Sequence, residues 1–300
     1  MSQTVLVAGG TGNLGERIVH TLVRKGADVR VLVRPTSDPA KIKQLEALGA
    51  KIYVADMTDL AAVTAACVGA NCVVSALSGL REVIVDTQKI LLDAAIVAGV
   101  PRFIPSDYSL DFTNLPAGGN RNLDLRREFH TYLDKAPIAA TTVFNGAFAD
   151  MLTGQMPLVL FNLKKVLYWG NADQRMDFTT IENTAEFAAN AALDPATPRF
   201  LRIAGSQLSA REIKVIAGDL AAQPYGMLRP GGLGLLGVII KIARTIAPGG
   251  QDLYPAWQGM QYMHNMLDGR AKMKDTDNSR YPDIQWTTVK DVLSAHMHQG

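Results

Sequence analysis

The first thirty residues carry the clearest hydrophobic pattern of the chain. Val5 to Ala8 form a short, continuous apolar run of the kind that fills a strand buried on both faces of a parallel sheet. The glycine-rich stretch GGTGNLG follows at once, and from Glu16 onward apolar residues recur at helical spacing until Gly26. This pattern predicts a strand, a tight turn and a helix, in that order.

The alternation of apolar strands and helices continues to about residue 145. Strands are predicted at 28–34, 51–55, 72–76, 102–104 and 139–144, and helices at 39–48, 60–67, 80–98 and 123–133. Strands that alternate with helices require crossover connections. We therefore expect an α/β fold with a Rossmann-type, doubly wound parallel sheet of about six strands.

The pattern changes after Asn145. Residues 157–169 suggest two short strands, and mostly helical segments with glycine and proline turns follow from Ser209. We expect a first domain over residues 1–150 and a smaller, mostly helical lobe over residues 151–300, with a return segment near 178–205 that packs on the first domain. Such a lobe would cover the carboxyl ends of the strands, where doubly wound proteins bind ligands.

The glycines of the first turn fit the spacings GxGxxG and GxxGxxG at the same time. Free N–H groups, the helix dipole and the absence of side chains make this turn a site for a pyrophosphate. The predicted contacts are Gly9, Thr11, Gly12, Asn13, Leu14 and Gly15. The alternative is a tight turn whose glycines serve packing only.

The end of the second strand indicates which dinucleotide binds. NAD enzymes of this fold usually place Asp or Glu there to bond the ribose 2′-hydroxyl, whereas this chain has Val33 and Arg34. The guanidinium of Arg34 can pair with a 2′-phosphate, and Ser37 and Lys41 are close enough in sequence to help. We therefore predict NADPH as the cofactor. The alternative for Arg34 is a solvated surface arginine.

Further residues at strand ends are predicted to follow the cofactor across the sheet. Asp56 would accept a hydrogen bond from the adenine amino group, and Met57 would pack near that ring. Ser75 and Ala76 are small enough to let the cofactor pass.

Composition narrows the classes of function. Of 300 residues, 48% are hydrophobic and 19% charged, which is enough for a sizeable core, and a net charge of +2 argues against nucleic acid or an anionic membrane as partner. The cysteines, Cys67 and Cys72, and the five histidines show no disulfide or metal spacing. Without a visible signal peptide, we expect a cytoplasmic protein. The apolar stretch Leu233–Ile246 contains Lys241 and Arg244 and suggests an amphipathic helix.

Several segments resemble the NmrA-like and isoflavone-reductase-like branch of the atypical short-chain dehydrogenases. They are VAGGTGNLG, VLVRP, VVSAL, PRFIPSDYS, TTVFNGAF, FTTIENTAEFAANAALDP and FLRIAGSQLSAREI, and together they span roughly the first 215 residues. The resemblance implies NADPH on the glycine turn and Arg34, and a nicotinamide near Pro105 to Tyr108, with Pro105 and Ser106 in contact. It also implies aromatic small-molecule substrates beneath the second lobe.

The catalytic residues of that branch are not all present. No tyrosine has a lysine four residues on, so the Tyr-x-x-x-Lys pair of ordinary short-chain dehydrogenases is missing. The isoflavone-reductase-like enzymes use a lysine at the start of the helix at 123–133, and Arg126 stands in its place. Arginine does not readily release a proton. Tyr108 is then the best candidate for the proton donor, the alternative being a loop tyrosine that packs on the second lobe.

The remaining predictions concern the substrate. Asn145 follows the sixth strand and would line the nicotinamide site, while Tyr108, Phe148, Trp257 and Met260 would line the substrate pocket. The alternative for Phe148 is core packing. The alternative for Trp257 and Met260 is core packing or an oligomer contact. We expect an NADPH-dependent reductase that passes hydride to a small aromatic carbonyl or unsaturated compound. A non-catalytic NADP-sensing protein is the alternative, and the oligomeric state is left open.

Overall fold

The computed structural model describes residues 2–298 and has a six-stranded parallel sheet at its centre. The strands are β1 (Thr4–Ala8), β2 (Asp28–Val33), β3 (Lys51–Val54), β4 (Cys72–Ser75), β5 (Arg102–Ile104) and β6 (Ala139–Ala140). Their order is β3-β2-β1-β4-β5-β6, and every neighbouring pair is parallel. The strand order reverses beside β1, which is where a doubly wound sheet opens a crevice for ligands. The predicted fold class is confirmed.

Helices cover both faces of this sheet. They are α1 (Asn13–Arg24), α2 (Pro39–Ala47), α3 (Leu60–Cys67), α4 (Gln88–Val97), α5 (Arg121–Leu133) and α6 (Ile181–Leu193). Val5 and Val7 of β1 pack with α1 and α6, whereas Leu6 and Ala8 pack with α3 and α4. This period of two explains the continuous apolar run, because both faces of β1 are buried.

Two elements differ from the predicted ones. The helix expected at 80–98 begins with a π-helical segment, Glu82–Thr87, before α4. The strand expected at 139–144 is divided: β6 pairs with β5, while the separate strand β7 (Thr142–Phe144) pairs in parallel with β12 (Phe200–Arg202). The strand of the return segment therefore extends the hydrogen bonding beyond β6.

The segments that follow β7, other than β12 and α6, form four helices and six short strands, which together are termed the second lobe. The strands are β8 (Ala147–Phe148), β9 (Val159–Leu160), β10 (Lys165–Leu167), β11 (Arg175–Thr179), β13 (Ser206–Ser209) and β14 (Gly226–Leu228). The helices are α7 (Ala210–Leu220), α8 (Leu233–Ile246), α9 (Ala256–Leu267) and α10 (Val289–Met297). The antiparallel pair β9 and β10 confirms the two strands predicted within 157–169. The sequence patterns did not predict β8, β11, β13 and β14.

A buried row of amides joins α9 to the start of α5. The side chain of Gln258 donates to Asn120 Oδ1 at 2.7 Å, and Asn120 Nδ2 donates to Asn265 Oδ1 at 3.1 Å. The backbone N–H of Arg121 donates to Gln261 Oε1 at 3.1 Å. These bonds fix the second lobe to the helix that carries Arg126. The domain boundary at residue 150 stays a prediction.

Within residues 2–298, none of the helices combines the length and apolar character that a membrane crossing requires. The segment predicted as an amphipathic helix forms α8, which is 14 residues long with Lys241 and Arg244 in its second half. Leu236 and Ile240 are buried, whereas Val238 and Ile242 are exposed.

Candidate functional site

The glycine turn brings the backbone of β1 close to the first turn of α1. Gly9 has a φ of +85° and accepts a hydrogen bond from the N–H of Gly12 at 3.0 Å. A Cβ on Gly15 would lie 2.1 Å from the Gly9 carbonyl oxygen, and one on Gly9 would lie 2.5 Å from the Ala76 carbonyl oxygen. Gly12 is the N-cap of α1 and offers no side chain to cap it. The N-terminus of α1 therefore presents backbone donors to a ligand.

The predicted 2′-phosphate residues lie together beside this turn. Lys41 Nζ donates to the Thr11 carbonyl oxygen at 3.1 Å, and the backbone N–H of Arg34 donates to Ser37 Oγ at 3.1 Å. Arg34 is exposed, and within residues 2–298 no carboxylate oxygen lies within 4.0 Å of its guanidinium nitrogens. Its guanidinium is therefore available to an anionic ligand.

The residues after β3 and β4 occupy the same edge. Asp56 is exposed, and it accepts hydrogen bonds from the backbone N–H and the hydroxyl of Thr58, which hold the pKa of its carboxyl below the ordinary value. Met57 is buried beside it. Ser75 is fully buried, and its hydroxyl has no hydrogen-bond partner.

The segment after β5 is held by hydrogen bonds on two sides. The Ser106 hydroxyl donates to the Leu77 carbonyl oxygen at 2.6 Å, and the backbone N–H of Ser106 donates to Gln88 Oε1 at 2.9 Å. Gln88 is the first residue of α4, directly after the π-helical turn, and is fully buried. The predicted nicotinamide segment, which includes Pro105, is thus fixed to its neighbours.

Asp107 lies at the centre of a buried polar network. Its Oδ2 is 2.6 Å from His130 Nε2 and accepts from the Thr142 hydroxyl at 2.7 Å. Arg199 donates to Thr142 Oγ1 at 2.7 Å and lies 3.3 Å from His130 Nδ1. Burial acts to raise the pKa of Asp107, but His130, Thr142 and the charge of Arg126 outweigh it, so this pKa lies below its ordinary value. Asp107 is therefore ionised at neutral pH.

Tyr108 lies in the core rather than in an open loop. Its ring packs with apolar residues of the sheet, α1 and α6, and not with the cluster of the second lobe. Burial raises the pKa of its phenol far above 10, and the hydroxyl has no hydrogen-bond partner. The phenol thus stays protonated, and its role as a proton donor stays a prediction.

Asn145 is also buried, and neither its amide oxygen nor its amide nitrogen has a partner. Its backbone carbonyl accepts from the Thr179 hydroxyl at 2.7 Å, and its backbone N–H donates to the Ser109 carbonyl oxygen at 3.0 Å. The backbone is therefore fixed, whereas the buried side-chain amide has no hydrogen-bond partner within residues 2–298.

The unpartnered polar atoms are concentrated at the strand ends. Nine buried side-chain polar atoms of residues 2–298 have no hydrogen-bond partner, and five of them lie at the carboxyl ends of strands. They are Ser75 Oγ at the end of β4, Asp107 Oδ1 and Tyr108 OH after β5, and both amide atoms of Asn145 after β7. An unpartnered buried polar group costs about 1–3 kcal/mol. A polar ligand at this edge would satisfy such groups, and the hydroxyls and carboxamide of a nicotinamide nucleotide match them chemically.

The predicted substrate residues occupy separate environments. Phe148 is half-buried against the cluster between the sheet and α1 and α6, whereas Met260 packs on the second-lobe core. Trp257 is buried, with the guanidinium groups of Arg121 and Arg244 at 4.8 and 5.3 Å from its ring. The structure thus gives Trp257 a packing role, and the assignment of these residues to a substrate pocket stays a prediction.

Four buried or half-buried residues of this region were not predicted: Gln88, His130, Thr142 and Tyr262. Tyr262 belongs to α9, and the charge of Arg126 in α5 acts on its phenol. His130 lies one helical turn after Arg126, so its helical spacing was a usable signal. The other three are brought to the site by the π-helical turn, the division of β6 from β7, and the folding of α9, none of which the sequence pattern indicates.

Comparison with known proteins gives a family and a fold. The model of the NmrA-like family matches residues 1–217. Pinoresinol reductase 2 of Arabidopsis thaliana is 30% identical over 207 residues, which are 64% of this chain and 65% of that protein. The bifunctional pinoresinol-lariciresinol reductase of Linum album is 26% identical over 98% of this chain and 94% of its own.

Solved structures have the same architecture. A complex of AtPrR2 with NADP⁺ and (+)-pinoresinol has a TM-score of 0.83 at 23% identity, over 99% of both chains. At this level of identity the likeness establishes the fold. The part of the Arabidopsis relative that this chain matches is 65% of its length, just under two thirds.

The close approach at Gly15 gives a direct test of the glycine turn. Gly15→Ala places a Cβ against the backbone of Gly9, so we expect a loss of roughly 1–3 kcal/mol in the free energy of unfolding and a large loss of dinucleotide affinity. Urea unfolding and calorimetry measure the two effects. Gly234→Ala on α8 is the control, since no atom lies within 4 Å of its Cβ position, and it should be neutral or stabilising. Unchanged stability and affinity in Gly15→Ala would contradict the role assigned to this close approach.

Proposed function

The chain belongs to the NmrA-like family, and we propose that it is an NADPH-dependent reductase that passes hydride to a small aromatic carbonyl or unsaturated compound. The observation that carries the proposal is the group of unpartnered buried polar atoms at the carboxyl ends of β4, β5 and β7, beside a glycine turn open to a phosphate. The NADP⁺ complex of a protein with the same fold supports the choice of cofactor.

Each part of the cofactor would have its own residues in this chain. The N-terminus of α1 would hold the pyrophosphate, and Arg34, Ser37 and Lys41 would hold the 2′-phosphate. Asp56 and Met57 would contact the adenine, while Ser75 and Asn145 would bond the nicotinamide half. When bound, NADPH supplies the hydride, and the protein supplies orientation and a site that excludes water.

The acceptor would lie between this edge and the proposed substrate lobe, residues 151–300. Relatives named for the reduction of pinoresinol and lariciresinol support an aromatic acceptor. The amide row between α5 and α9 would hold the lobe over the site. Phe148 and Met260 would supply apolar surface for a flat acceptor.

Turnover separates a reductase from an NADP-sensing protein. We expect the purified protein to oxidise NADPH, followed by absorbance, when it is offered a panel of quinones, enones, aromatic ketones and aryl-propenyl compounds. Phe148→Ala should raise KM for the acceptor more than KM for NADPH. Tight NADPH binding without oxidation by any acceptor, together with side chains that fill the space beside the nicotinamide in a complex structure, would contradict the proposal.

The cofactor preference tests Arg34. NADPH should bind at least about tenfold more tightly than NADH, because a charge-assisted bond to the 2′-phosphate contributes about 1.5–3 kcal/mol. Arg34→Ala should remove most of this difference, as measured by calorimetry. Arg175→Ala is the matched control, since Arg175 is exposed and paired with Glu212 away from the sheet edge. Equal dissociation constants for both cofactors in the wild-type protein would refute the assignment.

The proposed proton donor is tested at Tyr108. Tyr108→Phe keeps the packed ring and removes only the hydroxyl, so turnover should fall by about two orders of magnitude while the affinity for NADPH stays unchanged. Because the hydroxyl is buried without a partner, its removal should leave the free energy of unfolding unchanged or higher. A variant with full turnover would assign the proton to solvent.

A further inference from the structure

The three arginines of α5 differ in what their guanidinium groups contact. Arg121 donates to the carbonyl oxygens of Asp252 and Leu253 at 3.1 and 2.8 Å and stacks on a tryptophan. Arg127 pairs with Asp124 and donates to two carbonyl oxygens of the preceding loop, both at 3.0 Å. Both therefore hold the fold. Arg126 has no comparable set of partners.

Arg126 is half-buried and keeps most of its donors free. Its Nη1 donates to the Asn122 carbonyl oxygen, one turn back in α5, at 3.0 Å. Its Nε is buried and has no acceptor. In the part of the chain that the structure describes, no carboxylate oxygen lies within 4.0 Å of its guanidinium nitrogens. A buried cationic donor without an acceptor is costly, so this position points to a bound group that supplies one.

The charge of Arg126 acts on residues from two other elements. It contributes to the low pKa of Asp107, after β5. It also opposes the effect of burial on Tyr262 of α9, where burial raises the pKa of the phenol to about 12. Hydrogen bonds place α5 between these two elements, since His130, one turn after Arg126, bonds Asp107, and the backbone N–H of Arg121 donates to Gln261 of α9. A ligand enclosed between sheet and lobe would meet the Arg126 guanidinium.

We propose that Arg126 binds the acceptor oxygen on which negative charge develops, and that the acceptors are carbonyl compounds, with quinones and enones preferred. This inference rests on the proposed reductase function. In such a reduction, hydride adds to carbon and the π electrons of the C=O system end on oxygen. A fixed guanidinium stabilises that oxyanion as it forms.

Quinones and enones are preferred because neither Arg126 nor Asp107 can give a proton to the oxyanion as it forms. A guanidinium does not readily release a proton, and Asp107 is ionised, so neither residue protonates the oxyanion. The enolate formed by hydride addition to an enone or a quinone is stabilised by resonance and survives until it takes a proton from water. A simple alkoxide lacks that stabilisation.

The neighbouring charges set the size of the expected effect. Asp107 opposes an anion in the same space, although His130 and Thr142 donate to one of its oxygens. The phenols of Tyr108 and Tyr262 are neutral at pH 7, because burial raises the pKa of both. Arg126 should therefore shift the equilibrium of a bound phenol toward its phenolate by about tenfold. This factor corresponds to the weakest charge-assisted hydrogen bonds.

The ionisation of bound 4-nitrophenol tests this inference without any turnover. The colour of the probe shows whether it is bound as phenol or as phenolate. A pH titration of the ternary complex of protein, NADP⁺ and 4-nitrophenol therefore gives the apparent pKa of the bound probe. In the wild-type protein this pKa should lie about one unit below the value in water. In Arg126→Gln the shift should vanish, and kcat/KM for a quinone should fall at least about tenfold while the Kd for NADPH stays unchanged.

Two further variants keep the result interpretable. Arg126→Lys retains the charge and should keep most of the shift, even if Arg126→Gln folds poorly. Arg211→Gln removes an exposed arginine that pairs with Asp173 and should leave the shift intact. An unshifted probe in the wild-type protein, or an equal shift in Arg126→Gln, would overturn the role of Arg126. A shift that depends on Arg126 in a protein that oxidises no NADPH would instead overturn the proposed function alone.

Discussion

The contact between Gly15 and the carbonyl oxygen of Gly9 fixes the rest of the structure. Only residues without side chains allow the first turn of α1 to come this close to the end of β1. This approach points the N-terminus of α1 along the carboxyl edge of the sheet. The ends of β2, β3, β4 and β5 are then arranged around it, because parallel strands finish at the same edge. Arg34, Asp56 and Ser75 lie at one edge of the sheet for this reason, although they are far apart in sequence.

The same edge contains both well-satisfied and unsatisfied polar groups. His130 and Thr142 donate hydrogen bonds to one carboxylate oxygen of Asp107. The backbone N–H and the hydroxyl of Ser106 both donate to protein acceptors. In contrast, the side chain of Asn145 and the Nε of Arg126 have no partners. Most buried polar groups in folded proteins have a hydrogen-bond partner, so buried atoms without one require an explanation. We interpret the difference as the separation between groups that hold the site and groups that hold its ligands.

Much of the fold could be predicted from the sequence, for identifiable reasons. The apolar run of β1, the glycine turn and the helices up to residue 133 depend on local patterns, and they appear close to their expected limits. The π-helical turn before Gln88 and the separate strands β6 and β7 depend on partners from distant segments, which a local pattern does not contain. For the same reason the position of Arg34 could be predicted, whereas the contacts of Tyr108, Trp257 and Tyr262 could not. The contacts of Tyr108 arise only when α1 and α6 pack on the sheet, and those of Trp257 and Tyr262 only when α9 packs on α5.

We propose that the unpartnered polar atoms at the strand ends bind the nicotinamide half of NADPH. The structure of the protein crystallised with NADPH tests it most directly. We predict that Ser75 Oγ and the side-chain amide of Asn145 lie within hydrogen-bond distance of the cofactor, with the pyrophosphate on the N–H groups of α1. A dinucleotide bound elsewhere, or one that leaves both side chains without partners, would contradict the claim.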